Sequence, residues 1–549
     1  MKNSIRIITI SWFLVVAVFN ALCHAEMYKW VDEKGGMHFT DDPTTIPEKK
    51  HAAGVGKAAV PDIKTNGSSQ ASSKLGSPGS PDFSRGASST FSLRELLRNR
   101  DFNKLNARLA HYQEAYENDV STEDDLVAAY NAFSIDDPYF EELLNAWVKG
   151  FPKDYQPYLA RASYFYNLGW KSRGGKWANE TSDEQVEGMK RHFSKARQDI
   201  AKSLEIRQDL LVPYYLLINI YKTSGTAGVE VKAILNKSLE KCPASFRVKS
   251  AYLLSITPRW GGSYEDMERS ANEFQKFASK NPRLKILRGY AFYDAGSMQK
   301  SSKNYGVALQ FLNKALSVGE LALFYGERAR IYHHLGKYDE ALTDISSAIE
   351  MSPQEADFYY VRSTILSAKE KMQEALKDVE LADRLKPNDE NITKQKKRIA
   401  DAFVYSGHSL EKSKDTQNAI KNYTAAIQVN PNDAYTYYRR ARAHIEKNDL
   451  SSALNDLEKS VELNPSEFDA YLLLDWVLAK QSDWNSIITY WSKYIALNAE
   501  NGRAYVERGG AYYRKGDLES AVKDAKRAAD LGNVEGKQLY ERFKGRVKR

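Results

Sequence analysis

Residues 322–355 read ALFYGERARIYHHLGKYDEALTDISSAIEMSPQE, and residues 502–535 read GRAYVERGGAYYRKGDLESAVKDAKRAADLGNVE. Between and within them small residues recur at a fixed spacing. Ala341, Ala375, Ala419, Ala453 and Ala521 hold one phase; Ala348, Ala382, Ala426 and Ala528 hold another, seven residues later. Pro353, Pro387, Pro431 and Pro465 close successive units at a spacing of 34, except that Pro387 to Pro431 is 44, an insertion of ten around Glu390–Lys397. Such a period with small residues at fixed phases marks an all-α solenoid of helix–turn–helix units. The cause is steric: paired helices approach closely only where side chains are small, and Pro ends one unit before the next begins.

The pattern resembles the tetratricopeptide repeat. Tyr325, Ala329, Tyr332, Gly336, Tyr338, Ala341, Ile345, Ala348 and Pro353 follow that family's order, as do Tyr505, Gly509, Tyr512, Gly516, Leu518, Ala521, Ala525 and Ala528. Units fall at 322–355, 356–399 (with the insertion), 400–433, 434–467, 468–501 and 502–535, with a looser unit at 289–321 ahead of them. The unit at 468–501 carries Ile487, Tyr494 and Ala499 where Ala, Ala and Pro are usual, so its helices are expected to pack less ideally. The array is thus placed at 289–535, followed by a basic helix or tail at 536–549.

At 549 residues and 42% hydrophobic content the chain exceeds one compact core and is not wholesale disordered. Its net charge of +8, or +6 without Lys2 and Arg6, is mild for this length. No concentrated basic face points to nucleic acid; the one cluster, Lys537–Arg549, reads as a solvated last helix. Residues 1–25 have a basic start, an apolar run from Ile7 to Phe19 and then Cys23, His24 and Ala25, the layout of a secretory signal cleaved after Ala25. Lipidation at Cys23 is disfavoured by the large Leu22 before it. The mature chain is therefore expected to be periplasmic or secreted, with no transmembrane segment. Cys242 then stands alone, a small buried residue near a helix end, and no internal disulfide is available.

Residues 26–50 read as a β-hairpin module: Met27–Val31 and Met37–Thr40 alternate around Asp32–Gly36. Tyr28-Lys29-Trp30-Val31-Asp32 with His38-Phe39-Thr40-Asp41 resembles a short N-terminal domain of unknown function found in exported bacterial proteins. Residues 51–90 form a linker, 18 of its 40 residues being Gly, Ser or Pro, a composition that buries too little to offset chain entropy. Residues 91–288 read as an irregular helical domain. Asp137 and Pro138 start one helix, and Ser121–Asp124 and Ser263–Asp266 have capping-box spacing. Two loops, Trp170–Trp177 and Thr257–Ser263, share Arg, Trp and Gly-Gly; they resemble those of another bacterial domain of unknown function.

No Walker loop, His-Glu-x-x-His, paired Cys or Gly-x-Ser-x-Gly occurs, so no catalytic residue, metal site or cofactor is implied. Convergence of Arg173, Trp177, Arg259 and Trp260 would make an aromatic, cationic pocket for a carbohydrate or anionic ligand; indoles packing between helices is the simpler account. The repeat resemblance implies a concave wall built by the first helix of each unit. Its inward positions are filled by Tyr293, Arg330, His333, His334, Tyr360, His408, Tyr435, Tyr438, Arg442, Trp476, Tyr513 and Arg514. Aromatics and Arg anchor protein interfaces, and this set suits an extended or helical peptide with acidic side chains. The paired-basic clamp that some relatives use for a C-terminal carboxylate is absent. The expectation is an exported non-catalytic scaffold for a protein or peptide partner. The alternatives are a binder of a cell-envelope glycan or peptidoglycan fragment, or a hydrolase using carboxylates of the central domain.

Overall fold

The computed structural model describes residues 28–31, 37–40, 84–175, 180–223 and 227–545. The expected signal segment and most of the expected linker lie outside them. Two compact units divide after Pro81. In the first, Tyr28–Val31 runs antiparallel to Met37–Thr40, with Tyr28 opposite Thr40 and Val31 opposite Met37. The turn expected at Asp32–Gly36 lies outside the described residues.

Among the described residues, the regular structure of the second unit is all helical. Its first helix, Ser84–Arg98, begins inside the stretch expected as linker. Leu93 and Leu97 are buried, and propagating a helix from such an anchored turn costs little per residue, so the Ser/Ala run ahead of it joins. Asp137 caps Pro138–Gly150 by accepting from Tyr139 N at 3.0 Å, and Ser263 accepts from Asp266 N at 3.0 Å, both as expected. Ser121 does not cap: Asp119, two residues earlier, takes the Ser121 amide at 2.9 Å and starts a 3-10 turn. Cys242 is buried just past the helix Ala227–Lys241.

From Tyr290 onward helices alternate in pairs, and the repeat phases explain why. Ala341, Ala375, Ala419, Ala453 and Ala521 are fully buried where paired helices touch. In the departing unit, Phe468, Tyr471, Trp491 and Tyr494 fill that interface as an aromatic cluster with ring centroids 5.0–5.7 Å apart. The ten extra residues prove to be helix rather than connection. They form the start of Glu390–Lys412, a first helix of 23 residues where its neighbours have 13 or 14.

The turn inside each hairpin has one residue in the left-handed region: Lys303, Gly336, Glu370, Lys414, Asn448, Ser482 and Gly516, with φ between 57° and 92°. Arg100 (φ 56°) does the same between the first two helices of the unit. Only glycine takes that conformation without steric cost. Ser482→Gly is therefore expected to stabilise the fold by about 0.5 kcal/mol, and Gly336→Ala to cost about 1 kcal/mol; paired thermal denaturation curves check both signs.

A recurrent ion pair staples the hairpins. Arg328–Asp344, Arg362–Asp378, Arg440–Asp456 and Arg508–Asp524 each make two bonds of 2.6–2.8 Å across 16 residues. The remaining nitrogen of three of these arginines reaches back into the preceding unit, to Asn313, Thr424 and Ser492. Each guanidinium so ties two units together, using the planar fork that lysine lacks. Arg161–Asp199, with Asn145 as the backward partner, repeats the device in the central region. Tyr155–Arg173 and Asp183–Ile206 are thus a hairpin of the same kind with a longer connection.

The winding brings the helix Met372–Leu385 back against Ser84–Arg98. Arg94, 3% exposed, donates to the carbonyls of Arg384 and Leu385 at 2.8 Å each and to Ala132 O at 2.7 Å. Asn388 Nδ2 donates to Asp136 O at 2.7 Å, and Phe91 lies under the Arg384 guanidinium.

Candidate functional site

The first helices of successive units present their inner faces side by side, and two clefts open there. The first, of about 430 Å³, is walled by Lys300, Arg330, His333, His334, Tyr360, Gln395 and Arg398. These side chains come from four helices: Tyr290–Ser301, Ala322–His334, Ala356–Ala368 and Glu390–Lys412. Glu327 is the carboxylate among them, 2.6 Å from Lys300 Nζ and 3.8 Å from Arg330 Nε. Arg330 also lies 3.9 Å from Asp357. The His334 ring stacks on Tyr305 at 5.1 Å. Both imidazoles are held below their ordinary value. Burial is the larger cause for each, followed by His334 for His333, and by Lys300 and Arg330 for His334. At neutral pH the wall is therefore two neutral rings set among three cations, of which Lys300 and Arg330 are partly offset by Glu327 and Asp357 while Arg398 adds the balance of positive charge.

The second cleft, of about 530 Å³, is lined by Lys397, Asp401, Tyr405, His408, Tyr435 and Arg439 among others. Tyr405 is 79% exposed and Tyr435 51%, aromatic faces left to solvent. Arg439 is tied to Glu411, which also accepts from the Tyr423 hydroxyl, and it donates to the Tyr435 hydroxyl at 3.2 Å, so that ring is oriented from beneath. Arg439 first, then desolvation and Lys412, holds the His408 imidazole below its ordinary value.

Of the residues expected on the concave wall, Arg330, His333, His334 and Tyr360 share the first cleft, and His408 and Tyr435 share the second. Tyr438 and Arg442 pair at 5.9 Å, and Lys480 lies over the half-exposed Trp476 at 5.2 Å. Arg514 is exposed and rests on Trp484 at 5.5 Å. The other two expected wall residues, both half-buried, stack on neighbours. Tyr293 stacks on Phe324 at 5.6 Å, and its hydroxyl is pushed up by desolvation. Tyr513 stacks on Phe543 at 4.5 Å, so the helix Val534–Lys544 covers it as an end cap rather than leaving it open. Lys300, Gln395, Arg398, Tyr405 and Arg439 were not anticipated. Gln395 and Arg398 fall on the extra turns of Glu390–Lys412, where counting by phase gives no inward position.

In the central region Trp170 and Arg173 sit on the last turn of the helix Tyr155–Arg173, not in a loop, and Arg259 and Trp260 sit on a 3-10 turn. Arg173 lies over Trp260 at 5.8 Å, so the two segments do converge. Trp177 lies outside the described residues.

Parts of the chain match known families. Residues 327–390 and 476–534, and residues 400–433 and 434–467, match tetratricopeptide repeat models. Residues 14–75 match a domain of unknown function (DUF4124), and residues 89–192 match another (DUF4034). The chain is 30% identical over 180 residues to the Hsp70-Hsp90 organizing protein of Triticum aestivum, covering 28% of this chain and 31% of that one. It is 27% identical over 179 residues to Hsp70-Hsp90 organizing protein 1 of Glycine max, covering 28% and 31%. The chain thus spans about a third of the length of the curated relatives it matches. Among solved structures, YrrB, described as a TPR protein with an unusual peptide-binding site, aligns at 22% identity over 36% of this chain and 96% of its own, with a TM-score of 0.23. The TPR2AB domain of yeast Sti1 in complex with pHSP90 aligns at 19% identity over 41% and 97%, with a TM-score of 0.20.

Proposed function

We propose that this tetratricopeptide-repeat chain is an exported, non-catalytic scaffold that holds an acidic, extended segment of a protein partner along the inner wall of its array. The observation that carries the reading is the pair of aromatic clefts built from the first helices of successive units, the first of them carrying the cations Lys300, Arg330 and Arg398. Alignment with the Hsp70-Hsp90 organizing proteins supports a protein-binding role for these repeats. Export rests on the residue pattern of Met1–Ala25, and places the partner in the periplasm or outside the cell. Rigid helical walls suit the task, because a preformed groove spares most of the ordering cost of binding.

The test is fluorescence anisotropy of a glutamate-rich peptide with the mature chain. Arg330→Glu combined with Arg398→Glu is expected to weaken binding at least tenfold, since like charge then faces the peptide. Affinity is also expected to rise as pH falls through the lowered titration range of His333 and His334, because each becomes a cation facing an anionic ligand. Equal binding by wild type and the double variant overturns the reading.

A further inference from the structure

The helix Glu390–Lys412 belongs to both clefts. Gln395 and Arg398 wall the first, and Lys397, Asp401, Tyr405 and His408 line the second. Arg398 and Tyr405 are seven residues apart, so they lie nearly two turns along one stripe, separated by about 10 Å at the helical rise. The buried side of the helix fixes where that stripe faces. Ile392, Ile399 and Phe403 are buried, and a Cβ on Gly407 would lie 2.7 Å from the Tyr423 ring. The helix is seated too closely to turn about its axis, so the interval between the two positions is set before any ligand arrives.

The extra turns create this arrangement. A first helix of 13 residues, as in the neighbouring units, would begin at Ala400 if it ended at Lys412. It would carry Tyr405 and His408 but neither Gln395 nor Arg398. The insertion therefore adds a cation to a wall that the ordinary repeat furnishes with aromatics.

The two positions differ in chemistry. Arg398 is exposed, and among the described residues its side chain has no hydrogen bond, ion pair or ring contact. It gives the first cleft its balance of positive charge. Around the second cleft the charges cancel, Lys397 and Arg439 against Asp401 and Asp433, and Arg439 is also paired to Glu411. What that cleft presents is rings. Tyr405 is 79% exposed, Tyr435 is 51% exposed, and Tyr438 lies 6.4 Å from Tyr435. A lone exposed aromatic is ordinary. Two lining one charge-balanced cleft, the second held by its hydroxyl to Arg439 at 3.2 Å, make a preformed surface for a large apolar side chain. An acidic side chain entering there would meet Asp401.

We infer, resting on the reading of this groove as a peptide site, that the partner's segment carries an acidic residue for Arg398 and a large apolar residue about three positions away for the Tyr405–Tyr435 cleft. An extended chain rises about 3.3 Å per residue, so three residues cover the interval that the helix fixes. One rigid element imposes this register, and flexing between units leaves it unchanged.

The experiment is fluorescence anisotropy of the full mature chain with short labelled Ser/Thr peptides of one composition, each holding a Glu-Glu pair and one Phe. The Phe is placed next to the pair, three positions from it, or more than twice that distance away, on either side; a peptide with the pair alone is the reference. One of the two three-position peptides is expected to bind at least fivefold tighter than the reference and than its other spacings. In Tyr405→Ser it falls to the affinity of the reference, and in Arg398→Glu it binds at least tenfold more weakly than to wild type. Both side chains are exposed and without partners among the described residues, so far-ultraviolet melts of the variants are expected to match wild type. If every spacing and the reference bind alike, the groove still holds acidic segments and the register alone is overturned. An unchanged spacing preference in the folded Tyr405→Ser chain overturns it too. Absence of binding by every glutamate peptide overturns the groove reading, and the register with it.

Discussion

Glu123→Ala is expected to destabilise the chain by about 4 kcal/mol. Glu123 is fully buried at the start of the helix Glu123–Asn131, yet its carboxylate serves a different helix. It accepts from Ser245 Oγ at 2.8 Å, Phe246 N at 2.9 Å and Arg247 N at 3.1 Å, the open amides at the beginning of Phe246–Ser255. Asn281 Nδ2 is 3.5 Å away, and Arg283 Nη1 is 3.8 Å away. Burial pushes the carboxyl up, while the bonds from Arg247 N and Ser245 pull it down. Those bonds and the positive end of the helix offset the cost of burying the group. Alanine removes the acceptor and leaves these donors inside the protein, each costing roughly 1–3 kcal/mol, less what relaxation recovers. Glu123→Gln keeps one acceptor and should lose about half as much. Urea unfolding, with hydrogen exchange followed over Phe246–Ser255, measures the effect; a loss under about 1 kcal/mol in the alanine variant would show that water can take over the cap.

Arg94→Met is expected to cost about 3 kcal/mol, felt in two places far apart in sequence. The arginine gives one bond to its own neighbourhood at Ala132 and two to the exposed end of Met372–Leu385. Burial first and Arg98 second lower its guanidinium to about 10, so it remains charged at neutral pH and is held there by the carbonyls it serves. Methionine fills a similar volume but leaves three acceptors unserved, those of Ala132 and Leu385 in buried surroundings. Arg94→Lys should fail nearly as badly, because an ammonium cannot span the carbonyls of two helix ends with a flat fork. Hydrogen exchange is expected to quicken both at residues 84–98 and at 372–388; quickening at the first segment alone would mean that the contact between them is incidental.

The array was legible in sequence because its determinants are local and repeated: Ala341 and its counterparts must be small, and Gly336 and Gly516 mark a turn. The same turn at Glu370, Lys414 and Ser482 was not legible, since those residues tolerate the left-handed region without advertising it. The Arg–Asp staple carried a signal, a fixed spacing of 16, but charged residues at helix surfaces are common enough to hide it. The longer first helix Glu390–Lys412 was misplaced because an insertion of ten residues reads equally as loop or helix. Glu123 and Arg94 were beyond reach in principle: their partners are 122 and 290 residues away, and only the winding of the whole unit brings them together. In the central region shared composition raised the meeting of Arg173 with Trp260 only as a condition beside the simpler account of indoles packing between helices.

An open coil of repeats behaves as a spring, and its coils give way one at a time. Fastening residue 94 to residues 384 and 385 makes a hoop of everything between, so bending there must be shared by all members at once, while the units after Asn388 stay springlike. The first cleft straddles that boundary, with Arg330 and Tyr360 on the hoop and Gln395 and Arg398 on the spring. Its width is then the quantity that elastic flexing of the free end changes first, so a guest seated there would sense, and resist, the stretch of the outer coils.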